Sequence, residues 1–204
     1  MLAAGQSQRM GAFKPLLPFG DKTVIDTCIE HLRDGGVETV IVVLGQGPRA
    51  EGLKAHLKHS QATFAVNPDP ASEMSASISS GVRQLPVQTK VVIITPVDHP
   101  AVPAEVVAIL IDEWKKGARL VMPTWNGRGG HPVLIDLSFR DELLNLDPAR
   151  GLKGLFDARR EHVRPVSVSS NYIARDMDTW DDYRTLHQEV FGVFPPKQPL
   201  PEQN

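Results

Sequence analysis

The chemistry available to this sequence is concentrated in a few short segments. Near the amino terminus stands Leu2-Ala3-Ala4-Gly5-Gln6-Ser7-Gln8-Arg9-Met10-Gly11, with Lys14-Pro15-Leu16-Leu17 close behind. Small side chains at Ala3, Ala4 and Gly5 let backbone amides come close to a ligand, and glycine at positions 5 and 11 opens backbone angles closed to other residues. Successive amides in such a turn form a concavity for anions. Arg9 and Lys14 add two cations to it. The spacing is not that of a P-loop, which needs Lys-Ser/Thr directly after its second glycine, nor of the dinucleotide Gly-x-Gly-x-x-Gly. By residue type alone the segment reads either as an anion-holding loop or as a surface turn with solvated charges.

Carboxylates form the second group. The run Val91–Thr95 leads into Pro96-Val97-Asp98-His99-Pro100. An acid at the carboxyl end of a buried strand lies in the crevice where open α/β sheets bind ligands. A hard oxygen ligand there suits Mg²⁺, which takes one or two carboxylates together with phosphate oxygens; the other reading is an ordinary turn aspartate beside a proline. Further acids lie in Asp176-Met177-Asp178-Thr179-Trp180-Asp181-Asp182-Tyr183. Asp178 is either a second metal ligand or, like Thr179, the N-cap of a helix. In Gly127-Arg128-Gly129-Gly130-His131-Pro132-Val133-Leu134 one histidine stands between a glycine pair and a proline and reads as a site residue. His56, His59 and His187 lie in polar helical contexts and read as surface.

These residues need a scaffold, and the apolar pattern supplies one. Short Val/Ile-rich runs at Val37–Leu44, Ala62–Val66, Val91–Thr95, Leu120–Pro123, Val133–Ile135 and Val163–Val168 read as strands covered on both faces. In Thr23–Asp34 a stripe of Val24, Ile25, Cys28, Ile29 and Leu32 predicts a helix stopped by Gly35-Gly36. Pro103 takes a first-turn position before Val106, Val107, Leu110, Ile111 and Trp114, and a last helix runs from about Thr179 to Val190. Strands alternating with helices predict a mostly parallel sheet with right-handed crossovers. The glycine segment should follow a buried strand, yet only Met1 and Leu2 precede it, so that strand is either very short or incomplete here.

Taken together, the string Leu-Ala-Ala-Gly-x-Ser-x-Arg-Met-Gly, then Lys and Leu-Leu, resembles the signature of the MobA-like nucleotidyltransferases, and most closely their molybdenum cofactor cytidylyltransferase branch. The resemblance extends through Pro-x-Asp-x-Pro at Asp98, Asn67 with Met74-Ser75-Ala76-Ser77 and Gly81, the Gly-His-Pro-Val segment and the Asp178 stretch, and so from Leu2 to Tyr183. It implies a three-layer α/β/α sandwich with a mostly parallel, Rossmann-like sheet of the nucleotide-diphospho-sugar transferase type. It also implies that Arg9 and Lys14 neutralise phosphate charge, and that Leu2, Ala3, Ala4, Gly5, Ser7, Gly11, Asn67, Ser75, Ser77, Gly81 and Pro96 bind the nucleotide. Asp98 and Asp178 would hold Mg²⁺, and Arg128, Gly130 and His131 would lie beside the acceptor. Glu73 departs from the family's usual glycine, and Ser75 and Ser77 serve equally well as helix-entry residues. Ala4, where the guanylyl branch has glycine, favours CTP, with molybdopterin as acceptor and a molybdenum hydroxylase as a further partner. Two other readings stay open: cytidylyl transfer to a sugar-like or isoprenoid-precursor phosphate, and a non-catalytic cofactor maturation or insertion factor.

Composition bounds the rest. The 204 residues, 41% hydrophobic and 23% charged with net charge −2, suit one globular α/β domain over 1–194, followed by a proline-rich, extended or disordered tail over 195–204. A broad basic face for nucleic acid or anionic lipid is not expected. The single cysteine, Cys28, excludes an internal disulfide and reads as a buried small hydrophobe rather than a reactive thiol. Without a 20-residue apolar span or signal peptide, a cytoplasmic location is expected.

Overall fold

The computed structural model describes residues 1–5, 10–69 and 73–196. Its first regular elements are a 3₁₀ turn at Lys14–Leu16 and a small hairpin of β1 (Pro18–Phe19) and β2 (Lys22–Thr23). Helix α1 (Val24–Asp34) starts where the Thr23 hydroxyl accepts from the Asp26 amide. It buries the stripe read from the sequence, and it ends at Gly35, with Gly36 at φ 101°. Then follow β3 (Ile41–Leu44), α2 (Pro48–His56), β4 (Thr63–Val66), α3 (Met74–Arg83), β5 (Val91–Ile94) and α4 (Ala104–Lys115). The second half contributes β6 (Leu120–Trp125), β7 (Arg128–Gly129), β8 (Val133–Asp136), α5 (Arg140–Leu144), α6 (Gly151–Ala158), β9 (Val163–Ser167) and α7 (Trp180–Phe191). Pro103 is the N-cap of α4 rather than its first residue. The expected strand at Val37–Leu44 is half its length, because the Val37 amide returns to the Leu32 carbonyl to close α1.

The strands lie in the order β4, β3, Leu2, β5, β8, β6, β9. β3 and β4 are parallel, Leu2 makes single parallel bridges to Val43 and Pro96, and β6 and β9 are parallel. β8 runs antiparallel to both β5 and β6, so the sheet is mixed. Chain length forces this. Asn126 and Gly127, both at positive φ, turn β6 back onto β7, and only three residues then lead to β8. A parallel return needs a crossover of a dozen residues or more.

Alternate residues of each strand face opposite layers. Val42 and Leu44 pack with α1, α2 and α7, and Val121 and Leu134 pack with α4. On the other face Leu120, Val133, Ile135 and Ile94 pack with α3, α5 and α6. The result is the three-layer α/β/α sandwich of the nucleotide-diphospho-sugar transferase type. Every strand of this sheet runs its carboxyl end toward one rim, except β8 and the short β7. The Leu2–Gly5 segment and the Thr95–Pro100 segment therefore leave the sheet side by side.

Candidate active site

Three segments distant in sequence meet at Lys14. Its 3₁₀ turn, opened by Pro15 at the second position, buries the lysine stem. The ammonium stands 2.8 Å from Asp178 Oδ1 and 3.7 Å from Asp98 Oδ2. The lysine side chain is 9% exposed, while the two carboxylates are 24% and 25% exposed, so the cluster opens to solvent on its acidic side. Oδ1 of Asp98 is buried and has no hydrogen-bond partner among the described residues; His99 Nε2, at 3.8 Å, is too far to donate to it.

Backbone contacts fix this geometry. The Met177 amide donates to the Asp98 carbonyl at 3.0 Å, which ties the two acid-bearing segments together. Thr179 caps α7 in a reciprocal pair with Asp182, which sets the start of the helix directly after Asp178. Trp180 Nε1 donates to the Met10 carbonyl at 2.9 Å and Tyr183 Oη to the Pro18 carbonyl at 2.6 Å, which docks α7 on the amino-terminal segment. Beneath Asp98, Cys28 Sγ donates to the Val97 carbonyl at 3.6 Å. Burial, with the Asp98 charge nearby, pushes this thiol up to about 12, so it is an inert core group.

The glycine segment meets this cluster from the sheet side. The Leu2 amide donates to the Thr95 carbonyl and the Val97 amide to the Leu2 carbonyl, which places Leu2 against Pro96. Ala3 is buried, and the Ala4 carbonyl lies over Gly45, where a Cβ would stand 3.5 Å from it in ordinary contact. Gly11 has φ 65°, a conformation that favours glycine. Gly5 needs no such freedom. A Cβ there would meet no described atom within 4 Å, so the space above it is open to a close-lying ligand. Ser7 and Arg9, expected to bind nucleotide and phosphate, lie outside the described residues.

On the far side His131 is brought close to Asp98 through His99, the two imidazole rings lying 5.4 Å apart. Burial, then the neighbouring His99, pushes the His131 ring down to about 4, against a hydrogen bond with the Ile94 backbone. It is therefore neutral near pH 7. The His131 amide donates to the Ile173 carbonyl at 2.8 Å, and a Cβ on Gly130 would fall 2.1 Å from that same oxygen. Arg128 is exposed on β7.

The remaining expected residues have internal partners. Asn67 Nδ2 donates to Ser77 Oγ at 2.9 Å, bracing the end of β4 against the first turn of α3, and Ser75 is buried beside them in sequence. Gly81 packs α3 on β3, where a Cβ would stand 2.9 Å from Val43 Cγ2. Glu73 takes the N-cap of α3 with ordinary extended angles, so the glycine usual there is not demanded by the backbone. His187, expected on the surface, is buried among Phe19, Tyr183 and Phe191, because α7 turns that face onto the β1–β2 hairpin. Its Nε2 accepts from the Gly20 amide. Two contributors were not singled out from the sequence, His99 and Trp180. The signal for His99 was its place inside the Pro-Val-Asp-His-Pro turn. Among the described residues no group of three or more His, Cys, Asp or Glu side chains is arranged to hold a metal, and no helix is long and apolar enough to cross a membrane.

Solved structures similar to this chain are numerous. The molybdenum cofactor cytidylyltransferase of Escherichia coli (strain K12) is 26% identical over 94% of this chain and 95% of its own length. The nicotine blue oxidoreductase of Paenarthrobacter nicotinovorans is 28% identical over 91% and 94%. Rv0371c from Mycobacterium tuberculosis H37Rv superimposes with a TM-score of 0.82 at 27% identity, covering 92% of this chain and 95% of that one. Its complex with manganese gives 0.78 at 26% identity over 93% and 96%. The MobA-like NTP transferase domain matches residues 1–164. With a match over most of its length and the cluster at Lys14 lying beside the glycine segment, the chain belongs to the MobA-like NTP transferase family and is a nucleotidyltransferase.

Proposed function

We propose that this enzyme transfers CMP from CTP to a phosphate oxygen of a molybdopterin-type acceptor, in the cytoplasm, for delivery of the product to a molybdenum hydroxylase. The acceptor oxygen attacks the α-phosphorus in line; the new O–P bond forms as the α–β bridge breaks, and pyrophosphate leaves. An acceptor phosphate is already ionised near neutral pH, so no general base is required, and positioning with charge neutralisation carries the step.

One observation carries this reading: two carboxylates from distant segments converge on a single ammonium at the rim where the glycine segment leaves the sheet. The pair also fits a divalent cation. Asp98 and Asp178 are hard oxygen donors, and the buried, unpartnered Oδ1 of Asp98 is a donor atom in want of a cation. When bound there, Mg²⁺ would neutralise phosphate charge. Lys14, with three N–H donors, can hold Asp178 and meet a phosphate oxygen as well. Arg9 and the amides of Ala3, Ala4 and Gly5 would receive the departing phosphates, with Ser7, Gly11, Leu2 and Pro96 around them and Asn67, Ser75, Ser77 and Gly81 toward the base and sugar. Arg128, Gly130 and the neutral His131 would face the acceptor, His131 through an N–H donor. The choice of CTP rests on Ala4 and on the named activity of the Escherichia coli relative.

The test is pyrophosphate release from CTP and GTP, each with molybdopterin and Mg²⁺, alongside nucleotide-dependent shifts in melting temperature. CTP-dependent release that exceeds release from GTP is expected. Release from GTP alone overturns the nucleotide, and a thermal shift with CTP but no release favours a non-catalytic maturation factor.

A further inference from the structure

Lys14 differs from the lysines paired on the surface. Lys115 and Lys116 lie exposed at the end of α4, and each meets one carboxylate of the preceding turn, Asp112 and Glu113. Such pairs add little to stability. Lys14 is buried and faces two carboxylates carried by segments remote in sequence, Asp178 Oδ1 at 2.8 Å and Asp98 Oδ2 at 3.7 Å. The first contact is a hydrogen bond. The second is beyond hydrogen-bond reach and is held by charge alone.

The base of this side chain is fixed and its tip is not. The Leu17 amide donates to the Lys14 carbonyl and the Leu16 amide to the Phe13 carbonyl, both at 3.1 Å, which locks the 3₁₀ turn. Beyond that turn, an ammonium on a flexible four-carbon stem keeps three rotatable donors. Its charge governs what can join it. Two carboxylates brought to one point repel each other, and one ammonium between them leaves a single negative charge in excess. Both acids are about a quarter open to solvent, so a cation can reach them without passing Lys14. Any cation held by both acids nevertheless meets the ammonium at close range, where like charges repel.

We propose that Lys14 is a resident counter-ion that guards the acid pair. It holds Asp98 and Asp178 together, keeps a divalent cation from settling on them alone, and gives way when a triphosphate offers it another anion. The inference rests on the reading of Asp98 and Asp178 as the metal-holding acids. Without nucleotide, the ammonium and the metal compete, and the metal binds weakly. With nucleotide, the ammonium turns to a phosphate oxygen, and the competition ends. Metal and nucleotide then bind cooperatively, each raising the affinity for the other by the same factor. Lys14 thereby sets an order of assembly, in which the acids are loaded only when a triphosphate is there.

The experiment counts free Mn²⁺ by electron paramagnetic resonance, manganese being a spin-active ion that takes the same oxygen ligands as Mg²⁺. Lys14→Met keeps an apolar stem and loses the charge. Without nucleotide it is expected to bind Mn²⁺ at least about tenfold more tightly than the wild type. Damage to a fold loosens a metal site, so misfolding does not imitate this gain. The gain should vanish when Asp98→Ala is added, and should be absent from Lys116→Met, which removes the same charge at the far end of α4. Equal affinity in wild type and Lys14→Met, or an equal gain in Lys116→Met, overturns the guard and leaves the metal reading standing. A gain that survives the loss of Asp98, or no Mn²⁺ binding with or without CTP, overturns the metal reading and the guard with it. Should Lys14→Met fail to fold, the ¹⁵N signal of the Lys14 ammonium in the wild type decides. It should hold its position under Mg²⁺ alone and move once CTP is added; movement under Mg²⁺ alone, or none with CTP, overturns the proposal.

Discussion

Around Lys14 the chain is gathered by charge, with an ammonium and two carboxylates drawn from three remote segments and open to solvent on one side. Around His131 it is gathered by backbone contacts, with a glycine pressed on a carbonyl and an imidazole that burial keeps neutral. The two regions adjoin through His99, yet their tolerance should be opposite. A charged cluster open to water on one side costs less to alter structurally than chemically. A neutral, tightly seated segment is the reverse, because its role is to present a shape.

Four measurements would break or sharpen that contrast. Asp98→Ala is expected to lower pyrophosphate release by about a hundred- to a thousandfold, the scale of losing one electrostatic contributor, with an unchanged circular dichroism spectrum. Wild-type release by that variant would remove Asp98 from the site. On the other side, acid should act through stability. The unfolded chain protonates His131 near its ordinary value of 6.5, whereas the folded state resists until about 4. This contribution is complete above roughly pH 6.5 and lost progressively down to about 4, amounting to about 3 kcal/mol. Denaturant titrations of His131→Asn across that range should show a flatter profile than the parent; an identical slope would place the proton uptake elsewhere. Gly130→Ala must push a methyl group against the Ile173 carbonyl and should cost about 2 kcal/mol by urea midpoint. No loss there would mean that the segment yields easily and that the contrast is overstated. The smallest effect is expected for Thr179→Ala, about 1 kcal/mol from loss of the α7 cap. An accompanying drop in turnover would show that the helix end also sets the position of Asp178.

Much of the scaffold could be read before folding, and the exceptions are instructive. The stripe of α1, its Thr23 cap and its glycine stop are local signals, and the structure follows them. The direction of β8 is not local. Val133–Ile135 looks the same either way round, and only Asn126-Gly127, a dipeptide suited to a two-residue hairpin, betrayed the reversal. Helix α2 went unread because its apolar residues, Ala50 and Leu53, are few, although Pro48 marks its start. Of the candidate site, Asp98 could be placed from its strand and its turn. The pairing of Lys14 with Asp178 could not, since 164 residues separate them. Asn67 and Ser77 were read as ligand contacts, whereas the fold first uses them to brace each other. Serving the fold in this way leaves their oxygens able to accept a hydrogen bond from a sugar hydroxyl as well.

The hydrogen bond from the Trp180 indole to the Met10 carbonyl has a practical corollary. It connects a fluorophore directly to the chain at the close of the glycine segment, while the other two indoles sit on α4 and β6. With Trp114 and Trp125 replaced by phenylalanine, emission from the remaining indole becomes an optical gauge of that junction. Titrating nucleotide into such a protein would report loop engagement in real time, without label, acceptor or turnover.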